Sequence, residues 1–168
     1  MTNKISTNKH GFTIIEVVLV LAIAGLIFLM VFVALPSLQR GQRDTQRKND
    51  MARISTALTN YQSNNGSLPK STDFTTLGGT YSVATNGQFA KKYLGSKDEA
   101  KDPDGSEYDI VFESLASGTK TLSTMDHKVY IEIGGSCDGE SAKGSSSTNK
   151  FAILYKLEGA GVSCTDNN

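Results

Sequence analysis

The chain has 168 residues, enough for one modest domain and an additional element. Its 17 basic and 17 acidic side chains cancel, which argues against a dedicated nucleic-acid binder, where a basic excess is usual. With 16 glycines, three prolines and no tryptophan, plus many Ser, Thr and Asn, the composition suits a loop-rich β-containing domain better than a helical bundle.

Charge is unevenly distributed along the chain. Residues 1–11 carry Lys4 and Lys9 and no acid. Residues 17–35, VVLVLAIAGLIFLMVFVAL, carry no charge. At 1.5 Å per residue this segment would span about 28 Å, close to a bilayer core. Backbone in hydrocarbon must satisfy its own hydrogen bonds, so the segment is expected to be helical. It is apolar on every face, and a domain this small could not surround it as a core helix. No small-residue cleavage site follows a short apolar core, as a signal-peptidase substrate would need. One carboxylate, Glu16, stands at the start of the apolar run, and an acid beside a bilayer usually has a partner or a function.

Lys9-His10-Gly11-Phe12-Thr13-Ile14-Ile15-Glu16 and the apolar run behind it resemble the class III signal and methylation motif of type IV pilins and related pseudopilins. The resemblance covers residues 9–36. It implies a leader, 1–11, removed after Gly11 by a prepilin peptidase, with Phe12 as the N-methylated new N-terminus. Glu16 would guide assembly, its carboxylate neutralising the N-terminal amine of a neighbouring subunit in a low-dielectric filament core. Gly25 and Pro36 would fall where family helices can loosen on packing. The implied partners are like subunits, the peptidase/methyltransferase, the membrane before assembly and the pilus assembly machinery. The implied function is structural: a surface filament serving adhesion, motility or DNA uptake, its head outside the cytoplasm. A pseudopilin of a secretion or competence system is the alternative within the family. A membrane-anchored DNA- or ligand-binding domain is the alternative of another class.

After the transmembrane or filament-core segment 12–36, Met51, Ile54, Leu58 and Tyr61 form one apolar stripe. It predicts an amphipathic continuation over 37–62, so that a single helix runs from about Thr13 to Gln62. Asn64-Asn65-Gly66 and Pro69 supply the stop. Arg40, Arg43, Arg47, Lys48 and Arg53 against Asp44 and Asp50 give residues 40–53 a net +3. They read as a solvated face, with Asp44 and Lys48 as a favourable (i, i+4) pair.

Residues 63–168 are expected to form a β-sheet head. Ser67 to Gln88 reads as a loop with room for one short strand, and Gln88 to Leu94 as a helical turn with Phe89 and Leu94 inward. Asp102-Pro103-Asp104-Gly105 is a turn. Strands are expected at Glu107–Leu115, Lys128–Ile133 and Lys150–Leu157, with Gly134-Gly135 and 139–149 as turns. The fold class is therefore α+β: three or four antiparallel strands against the long helix. Cys137 and Cys164 are a candidate disulfide in an exported chain. In pilins a similar C-terminal pair defines a surface loop.

Asp98, Glu99, Asp102, Asp104 and Glu107 cluster within ten residues. Asp98, Asp102 and Asp104 are the candidates for Ca²⁺, which takes such oxygens, and some pseudopilins bind calcium in a comparable loop. The twelve-residue EF-hand spacing is missing, so a solvated acidic turn without cofactor is expected. His10 and His127 have no cysteine or carboxylate at metal-ligand spacing. No catalytic constellation is present, and no enzymatic function is expected.

Overall fold

The computed structural model describes residues 11–70, 76–77, 80–82, 89–94, 101–106, 108–124, 127–159 and 161–168. Two compact units divide at 39/40: Met1–Gln39 and Arg40–Asn168. Helix α1, Ile14–Asn65, runs through both and is continuous at Gly25, Pro36 and Gly41. It ends three residues beyond the expected Gln62. Gly66, at φ 72°, closes it by donating its N–H to the Gln62 carbonyl at 2.8 Å, as a left-handed C-terminal glycine does.

In the first unit, the side chains from Ile14 onward lie on a helix long and apolar enough to cross a membrane, and none of its apolar window is buried. The large apolar residues between Phe12 and Leu38 are 43% to 85% exposed.

The second unit has the expected α+β architecture, with more strands than the sequence suggested. Strands β1 (Thr76–Leu77), β2 (Thr80–Ser82), β3 (Asp109–Ser114), β5 (Lys128–Ile133), β8 (Phe151–Lys156) and β9 (Val162–Asp166) form one sheet in the order β1-β2-β3-β5-β8-β9. Strands β4 (Thr119–Lys120), β6 (Gly135–Asp138) and β7 (Ser141–Gly144) form a second, in the order β4-β7-β6. All described pairs are antiparallel except β3 with β5, which run parallel from Asp109↔Lys128 to Ser114↔Ile133. The fully antiparallel sheet is thus corrected at this pair. The long connection 115–127 supplies the crossover that a parallel neighbour requires. The expected turns at Gly135 and within 139–149 are also corrected, since both contribute strands of the second sheet.

The stripe on α1 packs as expected. Met51, Ile54, Ala57 and Leu58 are buried against Tyr108, Ile110, Val129, Ile131, Phe151, Ile153 and Tyr155. Phe89 precedes, and Leu94 ends, a single π-helical turn, Ala90–Leu94, and both join this core. Strand β8 is buried on its other face too, where Ala152 and Leu154 meet Ala142 of β7. Its run FAILY is continuous rather than alternating for that reason.

Candidate functional site

Gly11 and Phe12 stand outside α1 and are exposed, Phe12 by 84%. A Cβ added at Gly11 would meet nothing within 4 Å. The helix start is set by Thr13. Its carbonyl accepts hydrogen bonds from the N–H groups of Glu16 (3.1 Å) and Val17 (3.3 Å), and its Oγ1 accepts one from the Glu16 N–H at 3.3 Å. Thr13 therefore occupies the N-cap and Glu16 the third helical position, where the helix dipole favours an acid. The cap was legible as a Thr-x-x-Glu pattern, although the motif drew attention to Gly11, Phe12 and Glu16 instead.

A second polar constellation lies in the Arg40–Asn168 unit and corrects the solvated-face reading of residues 40–53. Arg47 is 1% exposed. Its Nε and Nη2 donate to the two oxygens of Asp102 at 2.9 and 2.7 Å, a bidentate pair. Its Nη1 donates to Asp44 at 3.0 Å and to Glu158 at 3.3 Å. Asp44 thus pairs with Arg47 rather than with Lys48, which is exposed. Arg43 forks onto Glu158 at 2.7 and 3.0 Å. The Asp44 carboxylate also accepts the backbone N–H groups of Glu158 and Gly159 at 2.9 and 2.8 Å, fastening the β8–β9 turn to the helix. A Cβ at position 159 would stand 2.9 Å from Asp44 Oδ2, so glycine permits this approach.

The acidic turn is likewise corrected at Asp102, which is 2% exposed rather than solvated. Besides Arg47, Asp102 accepts the Tyr155 hydroxyl at 2.6 Å and the Asp104 N–H at 3.1 Å. Beside it, Tyr108 donates to Asp50 at 3.0 Å, and the Tyr108 and Tyr155 rings meet edge to face at 5.5 Å.

The charges respond to these contacts. Burial pushes the Asp102 carboxyl up, but hydrogen bonds from Arg47 and Tyr155 outweigh it and hold the group below its ordinary value. Asp44 is likewise depressed: burial opposes the two backbone N–H groups and Arg47, and loses. Hydrogen bonding from Arg43 depresses Glu158. Burial raises Asp50 against the hydrogen bond from Tyr108. Arg47 is raised by its bonds to Asp102. Glu132, 1% exposed near Lys120, is raised by burial.

Of the residues considered for a cation, Asp98 lies outside the described residues. Asp102, Asp104 and His127 offer ligand atoms within 4.8 Å of one another, a grouping that sequence spacing did not reveal. The Asp102 oxygens, however, already accept from Arg47, Tyr155 and the Asp104 N–H. The Asp102 oxygens thus belong to the ion network around Arg47. Cys137 on β6 and Cys164 on β9 are joined by a disulfide, with Cα atoms 5.8 Å apart, so the bond links the two sheets. Each cysteine lies within a strand.

Residues 6–32 match the family model of the prokaryotic N-terminal methylation motif. That motif is the class III signal found in type IV pilins and pseudopilins. The match contains Gly11, Phe12, Thr13 and Glu16 and most of the exposed apolar segment. No curated protein and no solved structure matches the chain significantly. The motif points to a structural protein, and with the apolar helix it fits membrane anchoring.

Proposed function

We propose that this chain is a structural subunit of a type IV pilus-like surface filament, cut after Gly11 by a prepilin peptidase, methylated at Phe12 and polymerised through its N-terminal helix. The observation that carries the reading is the methylation motif at the head of a helix whose large apolar residues from Ile14 to Leu38 are all substantially exposed. A surface of that size needs a covering. Lipid covers it before assembly, and the helices of like subunits cover it afterwards. Glu16 then meets the amine of a neighbouring subunit and fixes axial register, which discharges two ions in a dry core.

The basic stretch gives little support to DNA binding, because Arg43 and Arg47 are engaged with Asp44, Asp102 and Glu158. The reading requires no cofactor. A pseudopilin shares the motif and the helix. The Cys137–Cys164 bond, which ties β9 to β6 near the C-terminus, favours the pilus subunit, since in pilins a similar C-terminal pair defines a surface loop.

Electron microscopy of shed surface material, labelled with an antibody to residues 70–168, tests this reading. Filaments labelled along their length are expected, and Glu16→Ala should abolish them while leaving the subunit inserted in the membrane. A processed chain retained in the envelope without filaments would identify a pseudopilin instead. Normal filaments from Glu16→Ala would refute the role given to Glu16.

A further inference from the structure

The helix begins one residue after Thr13, and the Gly11–Phe12 bond lies just upstream of that boundary. The boundary depends on Thr13 itself. Its hydroxyl oxygen accepts the Glu16 N–H at 3.3 Å while its carbonyl accepts the same N–H at 3.1 Å, so the side chain gives an amide donor of the first turn a second acceptor. Ser, Thr, Asp and Asn do this well, whereas Val, Ile and Leu do it poorly. The neighbours Phe12, Ile14, Ile15 and Val17 therefore offer no substitute cap. The nearest described residue that tolerates the N-cap position is Gly11, two residues upstream. A helix started there would include Phe12 as its first residue and draw the Gly11–Phe12 peptide into its opening turn.

A peptidase must receive the bond it cuts with the backbone reachable on both sides. Helical backbone turns its carbonyls along the axis and commits them to internal hydrogen bonds, so a bond drawn into the helix must first be unwound. We infer that Thr13 is a positioning residue for leader removal: as N-cap it stops the helix short of Phe12 and keeps the Gly11–Phe12 bond outside it. This rests on the proposal that the leader is removed after Gly11. The same cap places Glu16 at the third helical position, so one residue serves both the site of cleavage and the start of the assembly helix.

The test uses the full-length precursor in detergent micelles with its prepilin peptidase. Thr13→Val keeps the β-branched shape but loses the acceptor. Its kcat/KM for cleavage should fall about five-fold, the population change that corresponds to losing a typical cap. Thr13→Ser and Thr13→Asn retain an acceptor and should be cleaved within about two-fold of the wild-type rate. Backbone ¹³C chemical shifts report the helix start independently of the enzyme. The start should remain at Ile14 in the wild type and the Ser variant, and move to Phe12 in the Val variant. Wild-type cleavage of Thr13→Val, or an unmoved helix start in it, would overturn the inference. So would equal slowing of the Ser and Asn variants, which would mean that the peptidase reads the threonine itself. A wild-type precursor left uncut after Gly11 would refute the processing reading and this inference with it.

Discussion

Removing the Arg47 guanidinium distinguishes a buried ion network from a solvated helix face by magnitude. An exposed ion pair is worth about 0–1 kcal/mol, so on a solvated face Arg47→Met would pass almost unnoticed. In the structure Arg47 is 1% exposed, and its partner Asp102 is 2% exposed. Methionine would leave Asp102 buried with only the Tyr155 hydroxyl and the Asp104 N–H as donors among the described residues. Stranding one partner of a buried pair costs about 3–5 kcal/mol. For a unit of this size, 1 kcal/mol moves the melting temperature by about 3–5 °C, so a fall of roughly 10–20 °C is expected. Near-ultraviolet circular dichroism of the full chain in detergent follows this through the tyrosines, independently of the N-terminal helix signal. Replacing both partners, Arg47→Met with Asp102→Leu, should recover part of the loss, because Asp102 no longer strands a charge, while Asp44 keeps its two backbone N–H donors and the Tyr155 hydroxyl loses its acceptor. A fall of less than about 3 °C for Arg47→Met alone would refute the network as a stabilising element.

Acid should weaken the Arg40–Asn168 unit. Asp44, Asp102 and Glu158 have folded-state pKa values below their ordinary ones. Their contribution is present above the ordinary carboxylate pKa and is lost as pH falls through the depressed folded values. The loss should therefore begin below about pH 4, with Asp50 and Glu132, which are raised, acting in the opposite sense and only partly offsetting it. Denaturant titrations from pH 7 to pH 2 would show it, and stability unchanged across that range would contradict the depressed values. Opening the Cys137–Cys164 bond, at a sequence separation of 27, should cost about 3–4 kcal/mol by the loop-entropy model. Denaturant midpoints of the Cys137→Ser/Cys164→Ser variant measure it, and an unchanged midpoint would show that the strand pairing holds β9 without the bond.

The periodic elements were legible in the sequence because local pattern and tertiary packing agree there. The stripe Met51, Ile54, Leu58, Tyr61 fixed the buried face of α1, and the alternation in Lys128–Ile133 fixed β5 to the residue. The same stripe continued backwards by four and then three residues lands on Arg47 and Asp44. Their charge concealed a buried position, because the partners Asp102 and Glu158 are more than fifty residues away in sequence. The second sheet was missed for a different reason. Strands β6 and β7 are short and rich in Gly and Ser, a composition that reads as turns, and their pairing with each other is what makes them strands. The parallel β3–β5 pair could not be read locally at all, since strand direction depends on the route of the connection.

At the N-terminus the motif marked residues 6–32, while the structure supplied the cap at Thr13, one residue beyond Phe12. Intact-mass and N-terminal analysis of the mature protein tests the central claim most directly. The account predicts a chain that begins at Phe12 and carries one added methyl group on its amine. A mature chain that still begins at Met1 would contradict it.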